Sequence, residues 1–255
     1  MKNLLNNENF QEEQEQEELN LEELKKYHII VKDLVKYYEI GDFIVKAVDD
    51  VSLKIKKGEF VAVRGPSGAG KTTLLNLIGG LDTPNRGVIY NQGIKISDMK
   101  EESLATFRLL NSGFIFQNYN LISTLTAEEN IMFPMNLAGM RLHEQRERAV
   151  NLLKRMGLQE RREHLPFQLS AGEQQRIAIA RALANNPPIL LADEPTANLD
   201  KKTSQFIRDL FKELKNDDIT IIIATHDDYL LDLADRIINF DEGKIINKDL
   251  INENE

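Results

Sequence analysis

Phe60-Val61-Ala62-Val63 runs without a polar side chain toward Gly65-Pro66-Ser67-Gly68-Ala69-Gly70-Lys71-Thr72, and Leu74, Leu75, Leu77 and Ile78 follow. The apolar run reads as a strand buried on both faces. The stretch after it fits G-x-x-x-x-G-K-[ST] in full, and the leucines behind it make a helix with an apolar face. Strand, glycine-rich turn and helix in that order form a phosphate cradle. Glycines let backbone N–H groups turn inward toward phosphate oxygens, and the helix start adds its positive end. Lys71 is placed to reach β- and γ-phosphates, and Thr72 to ligate Mg²⁺. Gly65, Ser67, Gly68, Gly70, Lys71, Thr72 and Thr73 are therefore the nucleotide-binding candidates of this stretch. The motif fixes a P-loop and leaves its class open.

Further strands surround this one. Val51, Leu53 and Ile55 alternate with Ser52, Lys54 and Lys56, the pattern of a half-buried strand. Phe114-Ile115-Phe116, Ile189–Ala192 and Ile219–Ala224 are short apolar runs of the fully buried kind. Helical faces lie between them: Ala149, Leu152, Leu153 and Met156 in one segment, and Ile207, Leu210, Phe211 and Leu214 in another. Buried strands alternating with helices predict an α/β core around a mainly parallel sheet. The span 118–184 lacks a clear strand and is expected to form an inserted helical lobe. No internal repeat is visible.

The strand Ile189–Ala192 ends on Asp193-Glu194. A carboxylate at such a strand end lies beside the P-loop, so Asp193 is the candidate Mg²⁺ ligand, directly or through water. Glu194 is placed to orient or deprotonate an attacking water. Acids also simply cap strand ends at surfaces; the P-loop upstream favours the catalytic reading.

Composition narrows the setting. The chain has 255 residues, 42% hydrophobic, enough for a sizeable core, and no cysteine, so no disulfide staples it. The net charge is −9, with no basic field for nucleic acid. Eight Glu against three Lys crowd residues 1–26. Residues 1–27 are expected to be an acidic, disordered or loosely helical tail, with residues 249–255 a polar tail at the other end. No apolar run approaches the roughly 20 residues of a membrane-spanning helix, so a membrane role must come through a partner.

Leu169-Ser170-Ala171-Gly172-Glu173-Gln174-Gln175-Arg176 stands one helix before the Asp193-Glu194 strand. It resembles the signature motif of ABC ATPases. Other landmarks of that family fall in the expected order. Gln117 resembles the Q-loop glutamine, Ala197-Asn198-Leu199-Asp200 the D-loop, His226 the switch histidine, and one of the adjacent Tyr37 and Tyr38 the aromatic that stacks on adenine, the other being a core residue; the spacing to Gly41 favours Tyr38 as the platform. The resemblance covers residues 28–248 and implies a P-loop ATPase core with an antiparallel β subdomain and a helical lobe. It implies ATP and Mg²⁺ as ligands, with Gln117 joining Thr72 and Asp193 at the metal. Glu194, His226, Gln117 and Lys71 would be the catalytic residues. It also implies a head-to-tail homodimer, in which Ser170, Gly172, Glu173 and Asp200 serve the ATP held by the other copy.

Ser170-x-x-Glu173 is equally an ordinary capping box, and both readings can hold. Ala171 departs from the family pattern by replacing the first signature glycine; a negative φ there would make the change cheap. Gly79-Gly80-Leu81-Asp82-Thr83-Pro84 and the segments 114–122 and 125–131 resemble the lipoprotein-releasing and macrolide-export type. That subgroup implies a separate or fused integral membrane permease, with the ATPase on the cytoplasmic face of the membrane. A regulatory or cell-division ATPase that transmits force without transport is the alternative. Tyr119, Leu121 and Ile122 are expected on an exposed loop facing the permease, with Ile131 and Phe133 inside the lobe.

Overall fold

The computed structural model describes residues 21–41 and 43–246. A short helix α1 (Leu21–Lys26) leads into two long strands, β1 (Tyr27–Ile40) and β2 (Phe43–Lys56). These pair antiparallel, and β4 (Arg86–Asn91) and β5 (Ile94–Lys95) complete a sheet in the order β2-β1-β4-β5. On β2 the alternation is as expected: Val51, Leu53 and Ile55 are buried and Ser52 and Lys56 are exposed. Residues 21–27, placed in the expected tail, form α1 and the first residue of β1. The Lys54 ammonium on β2 lies 2.5 Å from Glu23 Oε1 on α1. The rest of that expected tail, residues 1–20, and the expected tail 249–255 lie outside the described residues.

The second sheet contains β3 (Phe60–Arg64), β6 (Ser112–Ile115), β7 (Ile189–Asp193), β8 (Thr220–Ala224), β9 (Arg236–Asp241) and β10 (Lys244–Ile245). Its order is β10-β9-β3-β8-β7-β6, parallel except for the β9–β10 hairpin. The period-2 geometry of strands divides its side chains between two cores. Phe60, Ala62, Leu190, Ala192, Ile221 and Ile223 face one core, and Val61, Val63, Ile189, Leu191 and Ile222 face the other. That is why these runs carry no polar residue: both faces are covered.

Helix α2 (Lys71–Ile78) fills the space between the two sheets with Leu74, Leu75, Leu77 and Ile78, all buried. Truncating fully buried Leu77 to Ala is worth about 3 kcal/mol of stability. Helix α3 (Glu101–Asn111) adds Leu104 and Phe107 to the same core. The opposite core is closed by α4 (Ala127–Leu137), α5 (Leu142–Arg155) and α6 (Ala171–Ala182), the helical lobe, together with α7 (Lys201–Asn216). A short α8 (Asp228–Leu231) precedes β9. The carboxyl ends of β3, β7 and β8 come together on one edge, where open α/β sheets bind ligands.

Candidate active site

A cleft of about 610 Å³ opens at that edge. The phosphate loop between β3 and α2 forms its floor. Gly70 caps α2 with φ 101°, a conformation that costs glycine nothing, and a Cβ there would come within 1.9 Å of Ala47 O. The crowding has a local cause. Between the pairs Lys36–Val48 and Tyr37–Lys46 the β1–β2 register slips, leaving Ala47 without a partner on β1. A Cβ at Gly65 would meet Phe240 O at the same 1.9 Å. These glycines are required by close backbone approach on both sides of the loop.

Lys71 is buried, and its ammonium donates to Gly65 O (2.8 Å) and Pro66 O (2.9 Å), curling back over the loop. The Thr72 hydroxyl donates to Asp193 Oδ2 at 2.7 Å. Burial and the neighbouring Glu194 charge push the Asp193 carboxyl up, opposed by the Thr72 hydrogen bond and by Lys71. Two hard oxygen donors side by side beneath a phosphate loop suit Mg²⁺, which prefers few protein ligands and completes its shell with phosphate and water.

Glu194 follows with φ 45°, unusual for a non-glycine residue and of the kind found at functional sites. Its amide donates to Ala224 O (2.8 Å), and its side chain meets His226 Nδ1 at 3.0 Å and the Thr225 hydroxyl at 3.4 Å. Strand β8 is therefore the frame that aims both Glu194 and His226. Gln117, just past β6, is exposed and lines the same cleft. Tyr38 lines its outer end and Tyr37 does not.

The structure thus gathers Tyr38, Gly65, Ser67, Gly68, Gly70, Lys71, Thr72, Thr73, Gln117, Asp193, Glu194 and His226 around one cleft. The remaining candidates, Ser170, Gly172, Glu173 and Asp200, form a second cluster that does not line it. Ser170 caps α6: its hydroxyl accepts from Glu173 N (3.3 Å), and Glu173 Oε2 accepts from Ser170 N (2.9 Å). That backbone bond and Arg161, 2.9 Å away, hold the Glu173 carboxyl down at about 2. Asp200 caps α7 in the same manner through Thr203 N and its hydroxyl. Gly172 joins the two helix starts, since a Cβ there would sit 2.8 Å from Thr203 Oγ1. Ala171 is exposed, helical and absent from the positive-φ residues, so its methyl costs the backbone nothing.

Three contributors escape a sequence reading. Val45 and Ala47 line the cleft from β2; Val45 pairs with Tyr38 across the ladder, which two-residue counting along the hairpin could have found. Thr225 carries no motif and is exposed only by the Glu194 geometry.

The whole arrangement has counterparts of known family. The ABC transporter family model matches residues 48–197. An uncharacterized ABC transporter ATP-binding protein, MJ1508 of Methanocaldococcus jannaschii, is 48% identical over 218 residues, covering 86% of this chain and 97% of that one. The chain belongs to the ABC transporter family. It is an ATP-hydrolysing cassette with the α/β core, antiparallel sheet and helical lobe of that family. The macrolide export ATP-binding/permease protein MacB of Hyphomonas neptunium is 47% identical over 218 residues, which are 34% of its length. The dimeric, post-hydrolysis structure of the ATP-binding cassette MJ0796 bound to ADP and Pi superposes with a TM-score of 0.83 at 44% identity. It covers 86% of this chain and 97% of that one.

Proposed function

We propose that two copies of this cassette close head to tail around two Mg-ATP and drive a separate membrane permease. One observation carries the reading. On a single chain the cluster of Ser170 and Gly172 lies apart from the cleft that holds Lys71 and Thr72. An exposed helix N-terminus offering Ser170 is a phosphate-binding element, and a second copy supplies the phosphate it faces. The dimeric, nucleotide-bound cassette of similar fold supports this.

In the closed pair, Lys71 and the loop amides hold the β- and γ-phosphates, and Tyr38 stacks on the base. Thr72 and Asp193, with Gln117, would hold Mg²⁺, which would supply positive charge to the phosphate oxygens. Glu194 takes a proton from water as the water oxygen bonds to the γ-phosphorus and the bond to the bridging oxygen breaks. His226, with Nδ1 3.0 Å from Glu194 Oε1, would bridge that carboxylate to the γ-phosphate. Donors aimed at developing charge supply most of the rate. Loss of the shared γ-phosphate then releases the two copies, a ligand-biased switch.

A second groove, about 630 Å³ and largely apolar, runs between α3, β6 and the helical lobe next to the Gln117 segment. Leu81, Leu109, Phe116, Ile122, Phe133 and Leu137 line it. An apolar groove whose wall continues into a γ-phosphate sensor suits a short helix of the permease. No described helix is long and apolar enough to cross a membrane, and this docking would place the cassette on the cytoplasmic face.

Mixing two inactive variants tests the pairing. Lys71→Ala and Ser170→Arg each lack one half of every composite site. A mixture holds heterodimers with one complete site, so ATPase activity should return on mixing. No recovery, with both variants folded, overturns the head-to-tail reading.

A further inference from the structure

The Tyr38 ring is the base platform in the reading above, and it is not held by β1 alone. Its hydroxyl donates to Asp82 Oδ2 at 2.7 Å. Asp82 lies just beyond the C-terminal end of α2, in the stretch Gly80-Leu81-Asp82. Its other oxygen, Oδ1, accepts from Lys36 Nζ at 2.7 Å, and the same ammonium donates to Thr83 O at 2.8 Å. Lys36 precedes Tyr38 by two residues, so both project from the same face of β1. Its ammonium lies 5.0 Å from the Tyr38 ring centroid, within cation–π range. The Lys36–Asp82 pair is largely sheltered, with side chains 12% and 27% exposed.

The phenol is therefore tied to the segment just past the C-terminal end of the helix that starts at the phosphate loop. A ring on an otherwise open hairpin is fixed in distance and tilt relative to Lys71. Lys36 occupies one side of it, so a base stacks on the opposite face. Lys36 and Asp82 do not line the cleft of the phosphate loop.

We propose that Asp82 and Lys36 are positioning residues for the nucleotide base, holding Tyr38 in register with the phosphate cradle. The inference rests on Tyr38 being the base platform. It predicts an effect confined to the base: affinity for ATP depends on Asp82 and Lys36, whereas affinity for a triphosphate without a base does not.

The test is calorimetric titration of the full chain with ATP and with inorganic tripolyphosphate, alongside steady-state ATPase kinetics. The variants are Tyr38→Ala, Asp82→Ala, Lys36→Met and Lys36→Arg. Base stacking on an aromatic predicts that Asp82→Ala and Lys36→Met weaken ATP binding about 5- to 10-fold. They should raise KM in step, leave kcat within about two-fold, and leave tripolyphosphate binding unchanged. Lys36→Arg should restore most of the loss. If Tyr38→Ala weakens ATP and these two variants do not, the positioning role is wrong and the platform stands. If Tyr38→Ala itself has no effect, the platform reading falls and this inference with it. A parallel loss of tripolyphosphate binding would show that Asp82 supports the loop's fold, and would also overturn the proposal. Asp82→Asn, which keeps an acceptor for the phenol, serves the same comparison if Asp82→Ala fails to fold.

Discussion

His226 Nδ1 lies 3.0 Å from Glu194 Oε1, with the histidine side chain 75% exposed and the glutamate 14%. An ionised carboxylate can only accept, so in that state the hydrogen is on Nδ1 and Nε2 is left as an acceptor. Glu194 is thus oriented by two groups from the end of β8, His226 and Thr225. Glu194→Gln keeps the shape and removes the base. Hydrolysis should fall by about 10²-fold or more with ATP binding intact. The variant should accumulate as an ATP-bound dimer on size-exclusion chromatography with Mg-ATP. An elution volume unchanged by ATP would count against the paired engine.

The Lys71 ammonium donates to two loop carbonyls, Gly65 O and Pro66 O. Lys71→Ala leaves those carbonyls to water and removes the point charge facing the β- and γ-phosphates. ATP affinity should drop by about 100-fold or more, in the range of lost charged hydrogen bonds. Equilibrium titration with ATP checks this, and unchanged affinity would discard the phosphate-cradle assignment.

Asp193 trades stability for function. Its carboxyl is pushed up by burial and by the Glu194 charge beside it. A carboxyl raised in the folded state favours folding below its unfolded value, near 3.9, and that contribution is lost as pH rises through the folded value. At neutral pH the buried charge therefore works against the fold. Asp193→Asn removes it and still offers an acceptor to Thr72. The variant should melt about 2 °C higher than the parent at pH 7.5, with the gap narrowing as pH falls and Asp193 takes a proton. Mg²⁺-dependent ATPase should be lost. Thermal melts of both proteins across pH 4.5–7.5 decide it, and a lower melting temperature for the variant at pH 7.5 would refute the balance described.

Much of this site can be read along the chain because its parts are local. The glycines of the loop, the Ser170–Glu173 capping pair and the strand ending on Asp193-Glu194 each lie within a few residues of one another, where turn and cap geometry follow from residue type. The two-core arrangement is equally legible, since unbroken apolar runs such as Ile221–Ala224 have no face to give to water. What escapes is long-range. Tyr38 and Asp82 are 44 residues apart, and the contact of Gly172 with Thr203 needs two helix starts to meet. The β2 slip at Ala47 has no sequence marker. Helix periodicity also misplaces Phe133: it is 42% exposed in the groove, whereas Ile131 is fully buried. The apolar face of α4 is wider than the lobe can cover.

That last difference changes which residues should meet the permease. Leu121, expected on the exposed loop, packs against the lobe core. Tyr119 has its carbonyl held by Arg181 at 2.7 Å and does not line the groove. Ile122 and Phe133 do line it, one from the loop after Gln117 and one from α4. A charge on either surface costs the fold little, because neither is fully buried. It would oppose an apolar helix seated between them, since each uncompensated charge must be desolvated. Ile122→Asp with Phe133→Asp should keep basal ATPase within about two-fold and reduce permease capture at least ten-fold, the effect of losing a few central interface contacts. Co-purification of the tagged cassette with its permease, beside an ATPase assay of the free protein, measures both. Capture at the parental level would show that the groove is not the docking site. Loss of basal ATPase together with a lower melting temperature would return these two residues to the lobe's own packing.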